Sequence, residues 1–356
     1  MNHIKIETMH TTYGQEYFLQ SIDGKILPEY LQSWADAFPD DKRVRRLAPF
    51  SDLWPAWSKR LEWEGDVRFV WKVVELDKAV LPLLLCPDDV DFTCIVVVAE
   101  VEKTEDFVYW NRVGFVLHDR EDFAEEKKNG ILNWETYSDK DWEIYGDNIA
   151  WEEVNSPAWC QWISENWAEE LYRRRMNYTL PFYQTEGNVF WMKETNWAFD
   201  RGEYENMVQE YWEMETWRGL QHYRPAAEKL AIRDGARLIS GLTRDGWEAL
   251  KEHLWDYGEI LLHLFAEHIT EPLLHMLEKE STSRRSIEIY CKAIELLWQY
   301  GDDAVVNVVD VTILERLSDD KILWQRFGAY ISEAFRTYIN TEVLTYNLMM
   351  GGVAPL

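Results

Sequence analysis

The fold is decided by the stretch FTCIVVVAEVEKTEDFVYWNRVGFVL, which runs from Phe92 to Leu117. Its two ends, Phe92–Val101 and Phe107–Leu117, are rich in the β-branched and aromatic residues that favour strands. The polar segment between them, residues 102–106, has the length of a hairpin connection. Because Cys94–Ala99 is apolar on both faces, this segment is expected at the centre of a sheet. The stretch therefore predicts an antiparallel sheet.

Other elements of the front part follow from shorter patterns. Val67–Leu76 and residues 188–193 are also rich in strand-forming residues and are expected to be strands. A helix is predicted at 157–175, where Trp and aliphatic residues recur every four positions. The arginines Arg173–Arg175 are expected to close that helix, since cations complement the negative end of its dipole. Residues 203–219 are expected to form another helix.

From Pro225 onward the apolar pattern is helical. One helix face is predicted from apolar residues at i, i+3, i+4, i+7 and beyond, which are Ile287, Tyr290, Cys291, Ile294, Leu297 and Trp298. The next helix carries apolar residues spaced by four, at Val305, Val309, Ile313 and Leu317. Short turns between such helices predict antiparallel helix pairs. The chain is thus expected to be an α+β protein, with an acidic, Trp-rich α+β domain at 1–220 and an α-helical domain at 221–356.

The charge of the chain restricts its partners. Its 356 residues carry a net charge of −27, so its field repels nucleic acid and anionic membrane surfaces. A basic protein is the natural partner, although the charge could also serve solubility alone. Residues 1–220 hold 43 acidic against 23 basic residues and 16 of the 20 Trp. Acidic and aromatic residues are therefore concentrated together in the front part of the chain.

The cysteines and the apolar segments point to a cytoplasmic protein. Cys86, Cys94, Cys160 and Cys291 form no CxxC pair and lie in apolar surroundings, which predicts buried, reduced thiols. The start of the chain lacks the basic and apolar regions of a signal peptide. No apolar stretch approaches the roughly 20 residues that span a bilayer. We therefore expect neither secretion nor membrane insertion.

Motifs for catalysis or cofactor binding are missing from the sequence. GxxxxGK[ST], GxGxxG and GxSxG do not occur. A segment from Asp139 resembles a calcium loop, but its sixth position is Ile144 instead of Gly and its twelfth is Ala150 instead of Glu. His263 and His268 lie five residues apart, roughly 140° around a helix, so they cannot share a metal ion. No catalytic residue, cofactor or metal site is predicted.

The strongest candidate for a binding surface is the acidic, Trp-rich stretch at 134–170. Its predicted partner-binding residues are Trp134, Asp139, Asp141, Trp142, Glu143, Asp147, Trp151, Glu152 and Glu153. Carboxylates beside exposed aromatic rings recognise Lys- or Arg-rich surfaces, because the acids steer the encounter and the rings supply buried area. The alternative is that these rings turn inward and pack in the core.

The C-terminal part contains a series of motifs that resemble a known family. They are Asp256-Tyr-Gly-Glu-Ile-Leu-Leu-His263, Glu271-Pro-Leu-Leu274, Gly301-Asp302, Asn307-Val-Val309 and Thr312-Ile-Leu-Glu-Arg-Leu317. Over about 235–345 the chain resembles a helical domain of unknown function found in bacterial proteins. Members of that family look like immunity proteins of polymorphic toxin systems. The resemblance implies a helical fold and a toxin partner, and it carries over no catalytic residue.

These observations lead to one expected function and two alternatives. The expected function is that of an immunity or antitoxin-like protein, not an enzyme, which binds a basic toxin such as a nuclease and occludes its active site. The first alternative is a regulatory or scaffolding protein whose helical domain is a docking platform. The second is a metal-assisted hydrolase that uses His263 with Glu259 or Glu267.

Overall fold

The structure is a computed structural model, and it shows an α+β protein. It describes residues 1–11, 13–45, 50–117, 167–225, 227–279 and 281–356, without the side chains of Arg43 and Leu348. The described chain divides into two compact units, Met1–Tyr211 and Trp212–Leu356. The first unit contains two antiparallel sheets with helices, and the second is helical.

The smaller sheet of the first unit has three antiparallel strands. They are β1 (Ile4–His10), β2 (Glu16–Ile22) and β3 (Lys25–Ile26), in the order β1-β2-β3. The turn between β2 and β3 consists of Asp23 and Gly24, both with positive φ, at 52° and 80°. An Asp-Gly pair in this conformation matches the twist of a tight hairpin.

The larger sheet has five antiparallel strands in the order β4-β5-β6-β7-β8. They are β4 (Trp54–Pro55), β5 (Lys78–Leu85), β6 (Val96–Lys103), β7 (Phe107–Val116) and β8 (Val189–Asp200). The predicted strands at 92–101, 107–117 and 188–193 are confirmed. The central position is confirmed too, because β6 is the middle strand and Val96–Ala99 is fully buried.

The first unit also contains six helices within the described residues. They are α1 (Leu27–Ala35), α2 (Lys42–Arg45), α3 (Glu64–Glu75), α4 (Ala168–Arg174), α5 (Leu180–Gln184) and most of α6 (Arg201–Gln221). A short 3₁₀ helix lies at Phe50–Asp52. The helix predicted at 203–219 is confirmed as part of α6. The predicted domain boundary after residue 220 and the division at Tyr211–Trp212 both lie along α6.

The predicted strand Val67–Leu76 is wrong, because these residues form most of helix α3. Val67, Val70, Trp71 and Val74 recur with the spacing of a helix face and are buried. That periodicity outweighs the preference of Val for strands. Gly65 lets α3 approach α4 closely, since an added Cβ would lie 2.6 Å from the Cβ of Leu171.

The helix predicted at 157–175 is described only from residue 167 onward. Helix α4 confirms it between residues 168 and 174, and the rest of the predicted segment lies outside the described residues. The expected end at Arg173–Arg175 is wrong, because a π-helical turn at Arg175–Thr179 leads on into α5. Arg175 is buried and its Nε lies 2.7 Å from Oδ1 of Asp66, so it serves an ion pair rather than a helix end.

The second unit is built from helices joined by short turns. They are α7 (Ile232–Ser240), α8 (Gly246–Tyr257), α9 (Leu262–Phe265), α10 (Glu267–Glu278), α11 (Arg284–Tyr300), α12 (Asp303–Val308), α13 (Leu314–Ser318), α14 (Lys321–Gly328), α15 (Glu333–Tyr338) and α16 (Leu344–Tyr346). A 3₁₀ helix follows at Leu348–Met350. Two π-helical turns connect α12 to α13 and α15 to α16, at Val309–Ile313 and Ile339–Val343.

The last residues of the chain lie against this helical unit. Nε1 of Trp324 donates a hydrogen bond to the carbonyl of Ala354 at 2.8 Å. The backbone N–H of Leu356 donates to Oδ1 of Asn340 at 3.0 Å. Within the described residues, no helix has both the length and the apolar character to cross a membrane.

The predicted burial of the cysteines is right for two of them. Cys86 and Cys291 are buried, whereas Cys94 is exposed, and Cys160 lies outside the described residues. The prediction for Cys94 is wrong because this residue lies in the connection before β6 and its side chain faces solvent there, although Phe92 of the same connection is buried.

Candidate functional site

The structure does not reach the partner-binding residues predicted from the sequence. Trp134, Asp139, Asp141, Trp142, Glu143, Asp147, Trp151, Glu152 and Glu153 all lie outside the described residues. The rejected calcium loop at 139–150 lies there as well. A binding role for this stretch therefore stays a prediction.

A surface of the same composition lies in the described part of the second unit, at the end of helix α8. Five successive residues, Trp255 to Glu259, are exposed. The exposed fractions of Trp255 and Tyr257 are 40% and 52%, which is high for large aromatic side chains. Glu252 lies one turn earlier and is also exposed. We call Glu252, Trp255, Asp256, Tyr257 and Glu259 the acidic aromatic surface.

The periodicity of α8 explains why these side chains face solvent. Leu250 and His253 are buried, so they define the inner face of the helix. Glu252, Trp255 and Asp256 follow the i, i+3, i+4 spacing and share another face. Between residues 248 and 259 the chain carries four carboxylates and one lysine. The exposed face of α8 is therefore strongly negative.

Helix α8 ends at a glycine that the turn requires. Gly258 has a φ of +73°, in the left-handed region that a residue with a side chain rarely adopts. Its N–H donates to the carbonyl of Leu254 at 2.9 Å, which satisfies one of the last carbonyls of the helix. This turn directs the chain out of the helix between Tyr257 and Glu259.

A buried histidine supports the surface from below. Nε2 of His253 accepts a hydrogen bond from the backbone N–H of Leu261 at 3.0 Å, so this nitrogen carries no proton. Burial and the neighbouring His268 lower the pKa of His253, and Asp256 opposes them. The His253 ring lies 4.8 Å from the Tyr257 ring between centroids. The imidazole thereby holds both the turn and the base of Tyr257.

His263 contacts a hydroxyl group and an amide group in the structure, whereas a metal-assisted hydrolase would need it beside a carboxylate. Its Nδ1 lies 2.6 Å from Oγ1 of Thr312, and its Nε2 lies 3.5 Å from Nδ2 of Asn307. These neighbours are a hydroxyl and an amide, whereas the hydrolase interpretation requires the carboxylate of Glu259 or Glu267. The described contacts of His263 thus join α9 to the region around α12.

A cavity of opposite charge lies elsewhere in the second unit. It has a volume of about 390 Å³, and its lining includes Arg224, Lys229, Arg237, Tyr223 and Asp234. Burial raises the pKa of Tyr223, and the carboxylate of Asp234 acts in the same direction. The second unit therefore presents both a negative and a positive feature, although its net charge is negative.

Sequence reasoning missed the acidic aromatic surface as a site. The signal was present, because a Gly follows Trp255-Asp256-Tyr257 and predicts a helix end, where side chains are less covered. The Trp-rich stretch at 134–170 offered more residues of the same kind and drew the prediction there.

Comparisons with known proteins give one partial match. No curated protein matches the chain, and no solved structure does. The partial match lies within the range of about 235–345 over which the sequence resembles a helical domain of unknown function, and it includes the acidic aromatic surface. Residues 242–345 match the family model of a domain of unknown function, DUF7674.

Proposed function

We propose that this chain is a non-enzymatic, immunity or antitoxin-like protein, which binds a basic toxin and occludes its active site. The observation that carries the proposal is the acidic aromatic surface, where Trp255 and Tyr257 are exposed among Glu252, Asp256 and Glu259. The net charge of −27 supports the same kind of partner. The matched domain has no known function, so it adds no evidence about a toxin.

The two kinds of side chain would contribute to binding in different ways. The carboxylates raise the rate of encounter with a Lys- or Arg-rich surface, and this effect is screened over about 8 Å at physiological salt. The rings supply the area that leaves water on binding, and Trp and Tyr are frequent hot spots in interfaces. His253 limits the movement of Tyr257, which reduces the entropy lost on binding.

A nuclease is the toxin class that the charge fits best. Its active cleft must be positive to bind a phosphate backbone, so a negative protein surface can occupy the same cleft. The predicted residues of the stretch 134–153 carry the same combination of carboxylates and Trp rings, so they are a second candidate for contact with the partner.

The test uses the toxin domain encoded directly upstream, where an immunity gene is expected to follow a large secreted toxin. We expect co-expression of the full chain to restore growth of cells that produce this domain. The double variant Trp255→Ala/Tyr257→Ala should weaken the complex by about 2 kcal/mol or more, roughly 30-fold in Kd. Tyr346→Ala is the control, because Tyr346 is an exposed aromatic residue outside the acidic aromatic surface.

Two outcomes would contradict the proposal. One is that the wild-type chain neither restores growth nor binds the upstream domain. The other is that the double variant and the control bind equally well, which would remove the acidic aromatic surface from the interface. Replacing Asp139, Asp141 and Glu143 with Asn or Gln tests the front stretch separately, through a slower association that high salt should mask.

A further inference from the structure

The connection from β5 to β6 brings together three side chains that bind metal ions in other proteins. It reads Cys86-Pro-Asp-Asp-Val-Asp-Phe-Thr-Cys-Ile95. The two Sγ atoms of Cys86 and Cys94 and a carboxylate oxygen of Asp89 all lie within 4.8 Å of one another. Within the described residues, no other group of three or more His, Cys, Asp or Glu side chains brings its ligand atoms this close together.

Backbone hydrogen bonds hold the connection in this shape. The N–H of Cys86 donates to the carbonyl of Ile95 at 3.0 Å, which continues the β5–β6 ladder by one pair. The N–H of Val90 donates to the carbonyl of Cys86 at 3.0 Å and closes the chain around Asp89. Val90 has a φ of +51°, which is unusual for a β-branched residue. The tight turn is what places Asp89 beside the two thiols.

The acids of this connection have different roles. Oδ1 of Asp91 accepts hydrogen bonds from the N–H and the Oγ1 of Thr93, at 2.8 and 2.6 Å, so Asp91 stabilises the turn. Asp89 and Cys94 are exposed, whereas Cys86 is buried. The group is therefore anchored on one side and open to solvent on the other.

The separations agree with a tetrahedral ion. Zinc lies about 2.3 Å from Cys sulfur and about 2.1 Å from carboxylate oxygen, so ligands around it are roughly 3.5–3.8 Å apart. The three side chains need to move together by at most about 1 Å to reach these distances. Calcium and magnesium prefer ligand sets made of oxygen alone, whereas two thiolates select a softer ion.

We propose that Cys86, Asp89 and Cys94 form a binding site for a thiophilic divalent ion, with Zn²⁺ as the expected occupant. Each cysteine gives up its thiol proton to solvent as its sulfur binds the ion, and no electron is transferred. Three protein ligands leave the fourth position for water or for a ligand from a partner. The sequence hides this site because the two cysteines do not have the CxxC spacing of a familiar metal motif, and the turn between them brings them together.

Cobalt is the probe, because Co²⁺ replaces Zn²⁺ and its bonds to thiolate give an intense charge-transfer absorption. We expect the reduced, full-length protein to bind one Co²⁺ with this absorption, and Zn²⁺ to remove it. Cys86→Ser and Cys94→Ser should abolish the absorption. Asp89→Asn should weaken Co²⁺ binding by at least roughly tenfold. Loss of a residue that only supports a metal ligand already costs about that much, and Asp89 is proposed as a ligand itself.

Matched variants separate a local effect from misfolding. Asp88→Asn changes the adjacent acid, which is outside the group of three, and should bind Co²⁺ like the wild type. Cys94 is exposed, so its serine variant should keep the circular dichroism of the wild type. The proposal is overturned if the reduced protein gives no charge-transfer absorption, or if both serine variants keep it. It is also overturned if Cys86 and Cys94 form a disulfide that, once reduced, binds no Co²⁺.

Discussion

The two units use acidic and aromatic residues differently. In the first unit three tryptophans are fully buried, Trp57, Trp71 and Trp110, and Asp66 is paired with Arg175. In the second unit Trp255 and Tyr257 lie exposed beside carboxylates. The rings of Trp57 and Trp71 lie 5.8 Å apart between centroids, inside the first unit. Both regions combine acids with aromatic rings. What distinguishes them is burial, because the rings and the acid of the first region are covered and those of the second face solvent, and composition alone does not reveal that.

The largest expected effect comes from removing a buried ring of the first unit. Trp71→Ala should lower the free energy of unfolding by about 3–5 kcal/mol, because it leaves a cavity in a closely packed core. Trp255→Ala should lower the same free energy by less than Trp71→Ala does, because its side chain is 40% exposed and its removal leaves a smaller cavity. Urea unfolding of both variants checks this contrast, and equal losses would show that Trp255 is also a core residue.

The buried ion pair should give the next largest effect. Asp66→Ala should cost about 3 kcal/mol of unfolding free energy, because the charge of Arg175 stays buried without this carboxylate. The double variant Asp66→Leu/Arg175→Met should recover much of the loss. For comparison, Glu288→Ala breaks the exposed pair with Arg284 and should cost less than about 0.5 kcal/mol. Thermal and urea unfolding measure these losses, and a loss for Glu288→Ala as large as that for Asp66→Ala would contradict the prediction.

A buried acid on α4 should make stability depend on pH. Burial raises the pKa of Glu170 from 4.5 to about 8, although Arg174 and Arg173 act in the opposite direction. Between these values the folded chain holds a proton that the unfolded chain has lost. Stability should therefore fall as pH rises from about 4.5 to about 8, by at most about 1.4 kcal/mol per pH unit.

The measurement is urea unfolding of the wild type and Glu170→Gln across that pH range. The amide cannot ionise, so the variant should lose the part of the pH dependence that Glu170 causes. Glu29→Gln, at an exposed position of α1, should follow the wild type. If Glu170→Gln and the wild type keep the same slope, the carboxyl does not titrate as its burial requires.

The smallest expected effect tests the turn that supports the acidic aromatic surface. Gly258→Ala should lower the free energy of unfolding by about 1–2 kcal/mol, because its φ of +73° strains a residue with a Cβ. Gly219→Ala is a control with the opposite sign, since Gly219 lies in helix α6 with open space around its Cα. There alanine should stabilise the chain by about 0.5–1 kcal/mol. Two variants of the same sign would contradict the assignment of the turn.

The sequence predicted the architecture well where a single pattern was present. The hairpin of β6 and β7 was predicted from its β-branched and aromatic residues, and helix α11 from its apolar face. Both are present, although β6 begins at Val96 instead of Phe92. Val67–Leu76 was predicted wrongly because Val supports a strand by propensity and a helix by spacing. Local composition could not decide between them, since the contact of Gly65 with Leu171 involves residues about a hundred positions apart.

The sites were harder to predict than the fold. Recognising the acidic aromatic surface requires knowing that Trp255 is exposed, which depends on how α8 packs on the rest of its unit. The Cys86–Asp89–Cys94 group depends on one turn closed by Val90, and no spacing rule describes it. Arg175 was taken for a residue at a helix end, although its partner Asp66 lies on another helix.

The π-helical turns explain an oddity of the buried pattern. Two sets of residues are buried although their members are spaced by four. They are Val305, Val309, Ile313 and Leu317, and Leu171, Arg175, Thr179 and Tyr183. On a regular helix, three such steps would rotate the side chains by roughly 120° away from the core. The additional residue in each π turn takes up about 100° of that rotation. Deleting Val311 should therefore restore a regular helix and keep Leu317 buried, because Val305 and Leu317 would then differ by only roughly 20° around the axis. An unbroken four-residue spacing in a sequence thus forecasts a widened turn.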